Sequence, residues 1–147
     1  MSLQVVLVTE RGGGIGERDL LQWAEPVHRQ LRPQLDDDYV ANMRRVFADG
    51  GEMCVALDGQ RLAGLAVFRV YENTHAGRHL YVDDLVTDAA LRSRGVGKAL
   101  VDFLAGVARQ RGCKSMALDS GTQRERAHAF YFREGFTIPS FHFLRPL

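Results

Sequence analysis

Apolar and polar positions alternate along the chain in a way that divides it into short elements. "LQVVLVT" (3–9) is an apolar run of strand length. "ERDLLQWAEPVHRQL" (17–31) repeats its apolar positions at helical spacing, and Pro26 is expected to kink or divide that helix. "LDDDYVANMRRVFADGG" (35–51) reads as a helix with its punctuation in place. Asp36 to Asp38 offer an N-cap and early negative charge, and Gly50 and Gly51 follow as stops. "EMCVALDGQRLAGLAVFRVYE" (52–72) contains two β-rich runs joined at Asp58-Gly59-Gln60, a hairpin signal.

A further strand, "RHLYVDDLVT" (78–87), leads into "DAALRSRGVGKALVDFLAGVARQRG" (88–112), where Val96, Leu100, Phe103, Leu104 and Val107 give a helix one apolar face. "KSMALDS" (114–120) is a strand and "RERAHAFYFRE" (124–134) a helix closed by Gly135. "FTIPSFHF" (136–143) is expected to be a last strand, with Pro139 marking an edge or a break. Strand, two helices, hairpin, strand, helix, strand, helix, strand is the order of an α/β fold with helices on both faces of one mixed sheet.

At 147 residues the chain has room for one domain with a buried core, so a single unit over 1–147 is expected. It is 46% hydrophobic and 25% charged with a formal net charge of +1, which makes it neither polycation nor polyanion. No nucleic-acid partner is expected, and any phosphate contact must come from a local patch. No apolar run approaches the roughly 20 residues that cross a bilayer, and "MSLQVVLVTERGGG" lacks a signal-peptide pattern, so no membrane partner and a cytoplasmic location are expected. Cys54 and Cys113 stand far apart with no C-x-x-C, and read as reduced core or near-core residues.

Two glycine clusters each follow a strand and precede a helix. "RGGGIGERD" (11–19) places Asp19 where a G-x-G-x-x-G motif needs its third glycine, and Glu17 and Asp19 put negative charge where a phosphate would lie. "RSRGVGKAL" (92–100) interleaves Arg92, Arg94 and Lys98 with Gly95 and Gly97 at the start of the long amphipathic helix. Glycines let a backbone approach a pyrophosphate, the open N–H groups of a helix start accept an anion, and Arg and Lys add charge. The second cluster is expected to be the phosphate site. The first is expected to be a loop bordering a cationic acceptor through Glu10, Glu17 and Asp19.

"LYVDDLVTDAALRSRGVGKALVDFLAGVARQRG" resembles the acetyl-CoA-binding core of the GCN5-related N-acetyltransferase (GNAT) superfamily, whose loop pattern Q/R-x-x-G-x-G/A is matched by Arg92, Gly95 and Gly97. "RERAHAFYFREGF" (124–136) is similar to that family's later helix, and the ending "AHAFYFREGFTIPSFHF" looks like members that acetylate aminoalkylphosphonates. The resemblance implies a single domain with a mixed, mostly antiparallel twisted sheet of six to seven strands and about four helices. It also implies acetyl-CoA as the acetyl donor, a small-molecule amine as partner, and no metal. Arg92, Ser93, Arg94, Gly95, Val96, Gly97 and Lys98 would cradle the pyrophosphate. The backbone of Leu85, Val86 and Thr87 would bond the pantetheine arm as an added strand, with Val86 N–H as oxyanion donor. Arg124 stands where many members carry an asparagine on that arm.

Acetyl transfer to an amine needs a proton for the departing thiolate and a group that deprotonates the ammonium. The resemblance makes Tyr131 the general acid, a role a phenol of pKa about 10 can fill. Asp84 falls at a position that is Glu in many members and is the favoured base. Asp83 or a water chain stays open, because a β-bulge common here re-aims side chains. His75 and His79 have helical ligand spacing in a segment that reads as loop and strand, which argues against a metal. His128 lies one turn before Tyr131, and His142 reads as an edge-strand surface residue. A protein or peptide N-acetyltransferase and a non-catalytic acyl-CoA sensor are the competing readings. "FTIPSFHFLRPL" is an apolar edge that could pair with a second copy as a homodimer.

Overall fold

The computed structural model describes residues 2–10, 14, 16 and 18–147. Arg11 and Glu17 of the first glycine cluster lie outside the described residues. Glu10 and Asp19 are exposed at the edges of that loop. The elements in order are β1 (Leu3–Leu7), α1 (Arg18–Leu31), α2 (Tyr39–Ala48), β2 (Glu52–Asp58), β3 (Arg61–Asn73), β4 (Gly77–Thr87), a 3-10 turn at Ala89–Leu91, α3 (Val96–Gln110), β5 (Ser115–Leu118) and α4 (Glu125–Arg133). The five strands form one sheet in sequence order. β1 to β4 pair antiparallel, and β4 and β5 pair parallel.

Both faces of the sheet are covered. On β3, Ala66 and Phe68 face a core with Leu80, Val82, Val96, Leu100 and Leu104, which seats α3. The alternate residues Leu65 and Val67 face a second core with Leu21, Ala24, Tyr39, Met43 and Phe47, which seats α1 and α2. A strand buried on both sides explains why "LAGLAVF" is apolar throughout instead of alternating.

The acidic triplet does what its position predicts. Asp38 caps α2, its carboxylate accepting the Ala41 N–H at 3.0 Å, and Asp36 pairs with Arg45. Pro26 neither divides nor ends α1. It sits on the exposed side of the helix, where losing one N–H to the ladder costs least because water is at hand. Cys54 is buried on β2, and burial pushes its thiol up to about 12, which leaves it inert.

One expectation fails. The sheet has five strands, not six to seven, because 136–147 form no strand. Pro139 and Pro146 have no N–H to give a ladder, and the backbone of the segment beyond Phe136 makes no hydrogen bond to backbone elsewhere in the described chain. Its large apolar side chains lie open: Ile138 is 66% exposed, Phe141 83% and Phe143 92%.

Candidate active site

The site begins where the sheet splits. β4 and β5 run side by side from His79 and Ser115 to Val82 and Leu118, and there the pairing stops. β4 continues for five more residues. Leu85, Val86 and Thr87 stay paired to β3 on one side and have no strand on the other. A cavity of about 370 Å³ opens in the gap. Its walls are Val82, Asp83 and Leu85 of β4; Leu118 with Asp119, Ser120 and Gly121 beyond β5; Gln123, Arg124 and Tyr131 from α4 and its approach; and Leu31 and Arg32 from the end of α1.

A bulge sets the acids. β3 and β4 are in register with Phe68 opposite Val82 and Val67 opposite Asp84, so Asp83 is the extra residue. The inserted residue places two consecutive carboxylates on the α1 face of the sheet, against the simple alternation of a strand. Asp83 meets Arg69 in a bidentate pair, with Nε donating to Oδ2 at 2.7 Å and Nη2 to Oδ1 at 2.8 Å. The Arg69 guanidinium lies 5.0 and 5.2 Å from the ring centres of Tyr71 and Tyr81. Asp84 turns to α1, where Arg32 Nε donates to its Oδ1 at 2.8 Å and His28 Nε2 lies 2.7 Å from Oδ2. His28 Nδ1 is in turn 2.8 Å from the Tyr39 hydroxyl. Burial alone would raise the Asp84 carboxyl. The hydrogen bonds and charges of His28 and Arg32 outweigh it and hold the group below the usual carboxylate range.

On the opposite wall, Tyr131 is 8% exposed and packed edge-on between Phe130 and Phe136, with ring centres 5.5 and 5.9 Å away. Burial raises its phenol above the usual value, with Arg124 pulling the other way, so it is a neutral donor at ordinary pH. Arg124 precedes the first turn of α4, and His128 Nε2 ties that helix to the Gly121 carbonyl at 2.8 Å, away from Tyr131. Ser120 Oγ is buried with no hydrogen-bond partner among the described residues, and Ser120 lines the cavity.

The second glycine cluster follows β4 and starts α3. Ser93 (φ 63°) and Gly95 (φ 83°) adopt left-handed backbone, and Gly95 is the N-cap without a side chain to cover the helix start. The first amide engaged within the helix is Ala99 N–H to Gly95 O at 3.0 Å, so those of Val96, Gly97 and Lys98 precede the ladder. Arg92, Ser93 and Arg94 are exposed around them, an arrangement that accepts an anion. Lys98 leans away, its Nζ 3.3 Å from both Asp102 and Glu134.

Two glycines let this end of α3 sit low. A Cβ on Gly97 would lie 3.2 Å from the Phe130 ring. One on Gly64 of β3 would lie 2.7 Å from both the Val86 carbonyl oxygen and Val96 Cγ1. Gly64→Ala is therefore expected to destabilise by about 1–3 kcal/mol through overpacking against backbone, read as a lower urea midpoint at unchanged slope.

Of the residues the sequence singles out, Asp83, Leu85, Arg124 and Tyr131 meet at the cavity. Val86 and Thr87 continue the open edge, and Arg92 to Gly97 lie at the start of α3. Asp84 points to α1 beside them. His79 is buried against Tyr71, with ring centres 4.3 Å apart, and His142 is exposed beside Asp119 at 3.0 Å. Sequence reasoning passed over His28, Arg32 and Arg69. The available signal was His28 itself: positions 21, 24 and 28 share one face of α1, so a titratable group stands on its buried stripe. No helix among the described residues is long and apolar enough to cross a membrane.

A sheet split between parallel neighbours, with an anion-accepting helix start beside the gap and a tyrosine across it, has room for an extended anionic ligand along its open edge. The chain matches the Acetyltransferase (GNAT) family over residues 11–136 and belongs to it. The Bacillus subtilis protein YhdJ, an uncharacterized N-acetyltransferase, is 37% identical over 86% of this chain and 92% of its own. Glucosamine 6-phosphate N-acetyltransferase of Trypanosoma brucei brucei is 35% identical over 66% of this chain and 65% of its own. The likeness to aminoalkylphosphonate N-acetyltransferases is weaker, at 27% identity to the Salmonella typhimurium enzyme over 61% of this chain and 58% of its own. In fold, the chain superposes on the aminoglycoside N-acetyltransferase AAC(6')-Iy, in complex with a CoA bisubstrate analogue, with a TM-score of 0.83 at 16% identity over 100% and 99% of the two chains.

Proposed function

We propose that the protein transfers an acetyl group from acetyl-CoA to the primary amine of a small molecule. The observation that carries this reading is the unpaired edge of Leu85–Thr87, which runs from the uncapped start of α3 into the cavity that Asp83 and Tyr131 share. Acetyl-CoA would supply the activated acyl group as a thioester. Its pyrophosphate fits the amides of Val96 to Lys98 with Arg92 and Arg94, and its extended arm fits the open strand edge, where Leu85 N–H faces away from β3 and is the oxyanion donor. Val86, expected in that role, is opposite Leu65 in a hydrogen-bonded pair and turns its N–H to β3, in step with Asp88 N–H on the Ala63 carbonyl at 2.8 Å. Lys98, engaged by Glu134, contributes less than its place in the motif implies.

Asp83 is the acid that receives the acceptor ammonium. It lines the cavity, its side chain is 33% exposed, and a carboxylate has lone pairs left after a bidentate arginine. Asp84 is the weaker candidate for base, because its side chain is 13% exposed, bonded at both oxygens, and held well ionised. Its charge keeps α1 against β4 and holds negative potential beside Asp83, with proton removal passing to water. Tyr131 supplies the proton on the leaving side.

The small-amine acceptor is favoured over a peptide by the shape of the site, a confined cavity with acids on two walls and Arg32 and Arg124 on others. Arg124, which makes no ion pair among the described residues, favours an amine that also carries an anionic group, phosphate or phosphonate, while Arg32 is already engaged by Asp84. A thiol-release assay with acetyl-CoA tests this against glucosamine 6-phosphate, aminoalkylphosphonates, aminoglycosides, polyamines and peptides. Turnover is expected with at least one small amine, and Asp83→Asn is expected to lower its kcat/KM about 100-fold. Binding of acetyl-CoA without turnover on any amine would make the protein a sensor, and turnover confined to peptides would reassign the acceptor.

A further inference from the structure

We infer that Arg69 is the positioning residue of the acceptor site: braced between Tyr71 and Tyr81, it aims the Asp83 carboxylate at the incoming ammonium. This rests on the acetyl-transfer reading and adds to it a side chain that stands behind the cavity wall. The bulge creates the need. Asp83 is the residue of β4 with no opposite number on β3, so the ladder does not orient it as it orients Val82 and Asp84. Arg32 reaches it only at the main chain, with Nη2 donating to the Asp83 carbonyl at 3.2 Å. Among the described residues, Arg69 alone hydrogen-bonds the carboxylate, through its donations at 2.7 and 2.8 Å.

The guanidinium is fixed before it meets the acid. Arg69 stands opposite Tyr81 across the β3–β4 ladder, and Tyr71 lies two residues along its own strand, so all three side chains share one face of the sheet. The two rings lie 5.0 and 5.2 Å from the guanidinium carbon, inside the cation–π range of about 6 Å. Tyr71 is held in turn by the buried His79, ring against ring at 4.3 Å. A planar fork set in this way fixes both the place and the rotation of the carboxylate it grips. It occupies one lone pair on each oxygen, so the pairs that remain face away from Arg69. Asp83 lines the cavity, and that free side is the one an ammonium there can reach.

Aim matters here because the amine must meet the thioester carbon along one line of approach. A carboxylate free to swing would hold the ammonium in many unproductive poses, and a misplacement of about 1 Å at the reacting atoms costs on the order of 100-fold. Orientation, more than charge, is what Arg69 adds. A lysine at position 69 separates the two, since it keeps the charge and loses both the fork and the plane that stacks between the tyrosines.

Steady-state thiol release by the full chain, with a small amine that the wild type turns over, tests this through Arg69→Lys, Asp83→Ala and the double variant. Arg69→Lys is expected to lower kcat/KM for the amine about 10-fold while the KM for acetyl-CoA stays unchanged. In the Asp83→Ala background, where no carboxylate is left to aim, it is expected to cost less than about 2-fold. Tyr71→Leu leaves Arg69 and the cavity walls in place and is expected to lower kcat/KM about 3-fold, again only where Asp83 is present. An Arg69→Lys enzyme within about 2-fold of wild type would show that charge suffices and overturn the inference. Losses that repeat undiminished in Asp83→Ala, or that raise the KM for acetyl-CoA, would make Arg69 a general support of β4 and equally overturn it. A wild type that turns over no amine would instead overturn the acetyl-transfer reading, and the role of Arg69 with it.

Discussion

Tyr131→Phe is expected to lower kcat by about 100-fold or more while leaving affinity for acetyl-CoA and the urea midpoint nearly unchanged. The ring sits edge-on between Phe130 and Phe136, and a phenylalanine keeps those contacts. What disappears is a proton donor that burial keeps neutral, since the phenol is raised above its usual value. The sign for pH follows directly. Because burial raises the phenol, any alkaline fall in kcat that Tyr131 causes lies at higher pH than an ordinary tyrosine would give, and a fall at lower pH belongs to another group. Thiol release measured across pH, with acetyl-CoA affinity from calorimetry, separates the roles. A variant with unchanged kcat would reduce Tyr131 to a packed aromatic.

Asp84→Asn is expected to act on stability, at about 3 kcal/mol near neutral pH. Removing one partner of a buried pair typically costs about 3–5 kcal/mol, and the low end applies because Arg32 is 40% exposed. His28, 1% exposed, loses its charged partner and keeps only Tyr39. Since the folded carboxyl of Asp84 is lowered, its contribution is fully present above the unfolded value near 4 and is lost as pH falls through the folded value. The gap between wild type and variant should therefore narrow in acid, in urea titrations at pH 7 and pH 3. An equal gap at both would show that the carboxylate's charge is not what stabilises the fold.

The loop at Arg92–Gly97 was legible because its backbone demands are local: positive φ at glycine and open amides at a helix start. The core face of α3 was legible for the same reason, since Val96, Leu100, Leu104 and Val107 recur at helical spacing and all are buried, whereas β3, apolar on both faces, gave no alternation to read. Asp83 and Asp84 were visible as acids but not in their aims, because "VDDLV" fits a bulge or plain alternation equally and only the register with β3 decides. Lys98 looked free in sequence, and its partner Glu134 lies 36 residues on. The last strand was read from propensity, but a strand exists only when it is paired, and among the described residues the segment beyond Phe136 makes no backbone pairing.

The bulge also bears on how such a site arises. Because Asp83 has no opposite number on β3, a β4 without it would keep Val82 on the α3 side and Asp84 and Val86 on the α1 side, with every core contact in place. The acid that faces the cavity is thus a one-residue insertion. A gain or loss of a single codon would add or remove it while the alternation of core-facing residues along β4 stayed untouched.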